Sequence, residues 1–328
     1  PAMPRSRKSL LTSSLLAALL AAVGAEAAPL DPRQRDAATA ACMDFYQHAN
    51  GGWLSSTPVP AGLPSFGYTD ELRAGIALQQ RELLRAFAEQ PADALESSIA
   101  RLYALGLDQT GVDALGLGPA QPFLAKIDAL EKPRELPALL AELHGWGAPI
   151  LFSFSAGADL QQPQRQIAYL NQGGLGLPDR DYYLREDAPT LELREAYRAY
   201  VQQLLGLAGR SDAAAESARV LAIEIELARA SLSLEQLRDP RNSYRPTALR
   251  ELDRRQPNLR WRDYLKAAGL RRLDSVSQAH IAFFDALNAR FASLPLADWQ
   301  TYLRFHVLHA AAPFLGSAFS DAHAQLYV

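Results

Sequence analysis

Apolar residues along the chain recur mostly at three- and four-residue steps, the spacing that lays them on one face of an α-helix. From Asp70 to Phe87, Leu72, Ile76, Leu83, Leu84 and Phe87 make such a stripe, leaving Arg73, Gln79, Gln80, Arg81 and Arg85 for the other face. The same spacing predicts helices over 95–105, 119–129, 134–145, 190–207, 213–230, 246–253, 259–267, 276–292 and 298–310. Ile281, Phe284, Leu287 and Phe291 make 276–292 the clearest of these. Asp298 offers the last helix an N-cap, and Pro313 stands where a helix has already ended.

One region alternates instead. Residues 150–155 and 166–170 flank a polar turn containing Gly157, Asp159 and Pro163, which is the pattern of a β-hairpin. Upstream, residues 28–41 are polar and alanine-rich and read as an extended lead-in, and 42–53 is a short amphipathic segment ended by Gly51-Gly52. The prolines of 57–64 enforce extended chain, because each lacks an amide and restricts the residue before it. The fold class that follows is mainly α: a large multi-helix lobe with one small β-hairpin.

Composition narrows the function more than the fold. At 328 residues, 48% hydrophobic and 21% charged, the chain can bury a sizeable core. A formal charge of -3 with no basic cluster argues against nucleic acid as a partner. Residues 1–27 read as a signal peptide: Arg5, Arg7 and Lys8 precede an apolar stretch from Leu10 to Val23, and Ala25-Glu26-Ala27 offers a small-x-small cleavage site. That places the protein in the periplasm or outside the cell, with retention as a membrane anchor the lesser alternative. Cys42 is the single cysteine, either buried and inert or separated from a disulfide partner.

Candidate chemistry is sparse. None of His48, His144, His280, His306, His309 and His323 is followed by glutamate, so the His-Glu-x-x-His zinc motif is absent. His306 and His309 are three apart on an expected helix and could touch one object, but no carboxylate stands in phase to complete a metal site. Glu224 and Glu226 are two apart and face different ways, and Cys42 with His48 lacks a third group. Gly173-Gly174-Leu175-Gly176 leads into Leu177-Pro178 and reads as a turn, not a phosphate cradle. No residue is nominated as catalytic, cofactor-binding or metal-ligating.

Three segments resemble one family. Cys42, Asp44, Phe45, Tyr46, Ala49, Gly51 and Trp53 follow the C-x-D-F-Y-x-Y-A-x-G-x-W pattern of neprilysin-like zinc metallopeptidases, the M13 peptidases. Gly174, Leu175, Leu177, Pro178, Arg180, Tyr182 and Tyr183 are similar to that family's G-L-x-L-P-x-R-x-Y-Y stretch, and Tyr302, Leu303 and His306 to its Y-L-x-x-H/R helix. Weaker echoes lie at 102–111 and at Arg238-Asp239-Pro240. His48 departs from the pattern where tyrosine is common, and Asn50 where animal members carry cysteine.

The resemblance implies a two-lobed peptidase whose large helical N-terminal lobe encloses the active site and admits short peptides. Residues 28–66 are then an N-terminal segment that packs on a catalytic lobe absent from this chain, and 67–328 the helical M13 N-terminal-type domain. Zinc is expected in the full-length enzyme, with oligopeptides as its substrates, and its ligands fall beyond Val328. Cys42 matches a family cysteine that pairs near the C-terminus of the full enzyme. A chain lacking that lobe is expected to be inactive alone. Its rivals are a stand-alone peptide-binding or interaction protein and one half of a split enzyme.

Overall fold

The computed structural model describes residues 32–60 and 65–327, so the signal-like residues 1–27 lie outside them. Of the described residues 64% are helical. They form two compact units, one within the first 100 residues and one from Arg101 onward.

In the first unit, helix α1 (Phe45–Ser56) is followed by α2 (Tyr68–Glu89) and by the start of α3 (Ala94–Leu107). Asp44 begins α1 by accepting the Gln47 amide at 2.9 Å, which satisfies one of the free donors of a helix start. The segment 28–66 is therefore not extended throughout, and Gly51-Gly52 does not end it. The glycines serve a crossing: a Cβ on Gly52 would lie 2.0 Å from the Arg33 carbonyl oxygen, and one on Gly51 2.6 Å from Asp36 Cβ. The preceding chain thus rides directly on the helix backbone, where the Asp36 amide donates to the His48 carbonyl at 2.9 Å. Trp53 Nε1 donates to Glu71 Oε2 at 2.6 Å, and its ring stacks near Phe66. The α2 stripe is real but uncovered among the described residues, with Leu72, Ile76 and Leu83 about half exposed.

The second unit continues with α4 (Gln109–Leu115), α5 (Gln121–Asp128), α6 (Leu136–Gly145), strands β1 (Phe152–Ala158) and β2 (Gln166–Gln172), α7 (Asp181–Leu184), α8 (Ala188–Leu207) and α9 (Ala213–Ala230). Then come α10 (Leu234–Leu237), β3 (Pro246–Ala248), α11 (Leu249–Arg255), α12 (Trp261–Ala267), β4 (Ser275–Gln278), α13 (Ile281–Ser293), α14 (Leu296–Ala311) and α15 (Ser317–Tyr327). The hairpin forms where alternation predicts it, with Phe154 opposite Leu170. It is half of a four-stranded sheet ordered β1-β2-β4-β3, in which β4 runs parallel to β2 and antiparallel to β3.

Two helices expected from the sequence are consequently shorter. Residues 276–278 and 246–248 are strand, and helix resumes at Ile281 and at Leu249. The reason is pairing across long sequence separations: Ser277 meets Tyr169 on one side and Pro246 on the other. Buried Gln278 exchanges amide hydrogen bonds with buried Gln256 at 2.9 and 3.1 Å, which fixes β4 in place.

Helix α14 is the central element. From Trp299 to Leu308 every residue except Gln300 is buried, the condition of a helix surrounded on all sides. Of its buried polar residues, Arg304 pairs with Asp128, and His306 lies close to Glu224 of α9. A second aromatic cluster, Phe152, Trp261, Tyr264 and Phe284, joins the sheet to α12 and α13 at ring distances of 5.2 to 6.2 Å.

Candidate functional site

Polar chemistry concentrates where the chain leaves β2. Gly174 has φ +76, and a Cβ there would fall 2.5 Å from both Leu151 Cα and Tyr302 Oη. Leu151 itself holds φ +63, a left-handed conformation that costs a non-glycine residue roughly 1 kcal/mol. Only glycine lets the two backbones touch. Two residues on, a Cβ at Gly176 would sit 2.0 Å from Tyr197 Oη.

The loop is fastened by tyrosines from three directions. Tyr302 of α14 donates to the Gly174 carbonyl at 2.7 Å, Tyr327 of α15 donates to the Gly176 carbonyl at 3.1 Å, and the Leu177 amide donates to Tyr183 Oη at 2.8 Å. Tyr183 and Tyr197 in turn donate to Glu224 Oε2 and Oε1 at 3.0 and 2.8 Å. Burial first, and then the Glu224 charge, hold both phenols far above their ordinary pKa, so each remains a donor. His306 Nε2 is 2.9 Å from Glu224 Oε1 but off the direction a hydrogen bond requires. Glu224 is fully buried, so this network fastens helices to a loop and presents no reacting group to a substrate.

The remaining candidates separate. His306 and His309 do not converge: their rings are 6.4 Å apart and nearly perpendicular, and His309 Nδ1 is 2.9 Å from Tyr200 Oη. Burial, then His306 and His323, pushes His309 down to about 3. His144 bridges Tyr264 Oη and the Ile150 carbonyl at 2.7 Å each, and burial lowers its pKa. His280 accepts the Gln172 amide, and His323 stacks on Tyr327. His48 Nδ1 is 2.7 Å from the Thr39 carbonyl, so that nitrogen carries a proton and is no base for the exposed Cys42. Glu226 turns away from Glu224 to pair with Arg290 at 2.8 Å. Among the described residues no three His, Cys, Asp or Glu side chains are placed to hold a metal, so they do not fit zinc.

Sequence reasoning noted Glu224 but missed its role. The available signal was phase: Glu224 sits within the stripe Val220, Ile223, Leu227 of α9, where only a hydrogen-bonded carboxylate is tolerated.

Alongside this seam lies a groove of about 300 Å³. The glycine loop, Arg180, Leu232, Leu234 and Leu237 are among the residues that line it.

Fold and site define a helical lobe with a small mixed sheet, organised around a glycine loop and a buried tyrosine and carboxylate seam. The chain belongs to Peptidase family M13, whose N-terminal model matches residues 41–328. It is 26% identical over 314 residues to endothelin-converting enzyme-like 1 of Mus musculus, covering 89% of this chain and 40% of that protein. Neprilysin-3 of Drosophila melanogaster is 27% identical over 243 residues, 69% of this chain and 30% of its own length. The inhibitor-bound zinc metalloprotease Zmp1 of Mycobacterium tuberculosis superimposes with a TM-score of 0.81 at 25% identity, covering 90% of this chain and 46% of that one. The chain thus spans less than half the length of these relatives.

Proposed function

We propose that this chain is the N-terminal, peptide-enclosing lobe of an exported zinc metalloendopeptidase. The metal ligands and the activated water belong to a catalytic lobe outside these residues, and oligopeptides are the substrates of the whole enzyme. The observation that carries the reading is the unequal overlap with Zmp1: 90% of this chain against 46% of that protein. Two further features support it. The whole sequence lacks His-Glu-x-x-His. Met43, Phe45 and Tyr46, more than 60% exposed in the first unit, suit a face that a second lobe covers.

Export is part of the proposal and rests on residues 1–27; no helix among the described residues is long and apolar enough to cross a membrane. The test supplies this chain with the polypeptide encoded after Val328, fused or as a second chain, and follows a quenched fluorescent oligopeptide. Cleavage is expected only with both parts present and is abolished by a zinc chelator. Chelator-sensitive cleavage by the 328-residue chain alone would overturn the reading. For export, the periplasmic product of bacterial expression is expected to begin at Ala28, and a product found only in the cytoplasm, with residues 1–27 intact, counts against it.

A further inference from the structure

Cations gather around helix α12 in a way the linear sequence hides, because they come from two distant stretches of the chain. Two cavities lie there, of about 280 and 560 Å³, and they share Lys266 and Arg271. Arg262 also lines the smaller one, and Arg134 and Arg260 the larger. Against these five cations the cavities carry two carboxylates, and both are engaged: Asp263 pairs with Arg260 at 2.5 Å, and Glu135 Oε2 accepts the amides of Glu131 and Lys132 at 3.0 and 3.2 Å. Arg262 is held by Asp253 at 2.6 Å. Lys266 and Arg271, the shared pair, are exposed and within ion-pairing distance of no carboxylate among the described residues. The chain as a whole has a net charge of -3, so this is a local excess of positive charge, and a cleft lined by one sign of charge concentrates ions of the other.

The smaller cavity is otherwise apolar, and the way α12 ends explains why. Gly269 stands at φ +80, the left-handed conformation that closes a helix. The Leu270 amide then donates back to the Leu265 carbonyl at 2.8 Å, and the Gly269 amide to the Lys266 carbonyl at 3.1 Å. That pair of bonds returns the residue after the glycine to the last helical turn, so Leu265 and Leu270 line the same cavity. Leu249 and Leu273 complete the leucine lining, with the Leu249 amide tied to the Asp274 carbonyl at 2.9 Å. The backbone thus fixes one leucine-lined cavity and one charged cavity, with two unpaired cations common to both.

A ligand that uses both cavities carries negative charge directly beside hydrocarbon. We propose that this site binds a single-chain anionic phospholipid, with its phosphate at Lys266 and Arg271, its headgroup toward Arg134 and Arg260, and the first part of its acyl chain among Leu249, Leu265, Leu270 and Leu273. An apolar lining with a few placed polar groups is the usual form of a small-molecule site.

The experiment is isothermal titration calorimetry of the 328-residue chain with lauroyl lysophosphatidylglycerol below its critical micelle concentration. Saturable binding of one lipid per chain is expected. Lauroyl lysophosphatidylcholine, which has the same tail and no net charge, should bind about tenfold more weakly, and glycerol phosphate, the charge without the tail, should neither bind in the same range nor displace the lipid. The double variant Lys266→Gln, Arg271→Gln changes two exposed side chains and should weaken the anionic lipid by about tenfold or more, with an unchanged helical spectrum. Leu270→Asn should weaken both lysolipids. Absence of saturable binding, equal binding of the two lysolipids, displacement by glycerol phosphate, or full affinity in either variant would each overturn the proposal. The assay involves neither hydrolysis nor a catalytic lobe, so its outcome is independent of the two-part cleavage experiment.

Discussion

Replacing Gly176 by alanine adds one methyl group at the most crowded point of the lobe. The new Cβ would meet Tyr197 Oη at 2.0 Å, Cζ at 2.6 Å and Cε2 at 2.8 Å, and Tyr197 is fully buried, so the ring has nowhere to go. Overpacking of a core costs about 1–3 kcal/mol. Displacing the ring also breaks its 2.8 Å hydrogen bond to the buried Glu224, and a bond to a charged group contributes about 1.5–3 kcal/mol. The sum, about 3–6 kcal/mol, is a large part of a stability of roughly 5–15 kcal/mol. A melting temperature lowered by roughly 6–24 °C is expected, using about 2–4 °C per kcal/mol for a unit of this size.

Thermal unfolding followed by near-ultraviolet circular dichroism measures this, with two controls. Gly209→Ala probes backbone strain alone, since Gly209 has φ +80 and open space around its Cβ position, and should cost about 1 kcal/mol. Tyr197→Phe removes the oxygen that the methyl strikes, so the double variant should be less destabilised than the two singles added, by at least about 1 kcal/mol. A Gly176→Ala protein within about 1 kcal/mol of the parent, or strict additivity with Tyr197→Phe, would refute the assignment of Gly176 to close approach.

Burial lowers His309 to about 3, so the unfolded chain takes up a proton near pH 6.5 while the folded one does not. The His309 contribution is complete above that pH and lost as pH falls toward about 3, at about 1.4 kcal/mol per pH unit. His309→Asn should accordingly flatten the stability profile between about pH 6.5 and 4, and an unchanged slope in urea titrations would show that His309 is not the group responsible. In the first unit, Gly52→Ala should lift the chain at Arg33 off α1, so hydrogen exchange at the Asp36 amide speeds up while α14 keeps its protection. Equal exchange at Asp36 in both proteins would speak against the crossing. Cys42 is exposed and should react with a thiol reagent in the native protein at one label per chain, an outcome that a protected thiol would contradict.

The sequence was most legible where structure is local. The stripe at 213–230 matches α9 (Ala213–Ala230) end for end, and the alternation at 150–155 and 166–170 found β1 and β2. It was least legible where partners are distant in the chain. Val276, Ser277 and Gln278 fall inside the window read as the helix 276–292, and what makes them strand is the pairing with Tyr169 and Pro246, which no local window contains. Helices α4 and α15 went unseen for a related reason. Ser317–Tyr327 is polar and histidine-bearing, and it is held by contacts such as His323 on Tyr327 and Tyr327 on Tyr200, more than by a clean stripe.

The glycine loop shows how a legible motif can hide its reason. Gly174, Leu175, Leu177, Pro178, Arg180, Tyr182 and Tyr183 identified the family, and as a string they suggested a turn. In the fold the string separates into tasks. Gly174 and Gly176 surrender their side chains so that Leu151, Tyr302 and Tyr197 can come within contact. Leu177 fills the core, and its amide and Tyr183 carry the chain's hydrogen bonds to Glu224. Arg180 donates through Nη1 to the Ser231 carbonyl and lines the groove. Other arginines of the lobe are fixed either by carboxylates, as Arg210 is by Glu216 at 2.6 Å and Arg255 by Asp285 at 2.6 Å, or by backbone carbonyls, as Arg194 is by those of Tyr183 and Arg185. Arg180 is of the second kind: its hydrogen bond goes to the Ser231 carbonyl, while Asp181 Oδ1 stands 3.9 Å from Nε, so it ties the start of α7 to the chain that follows α9.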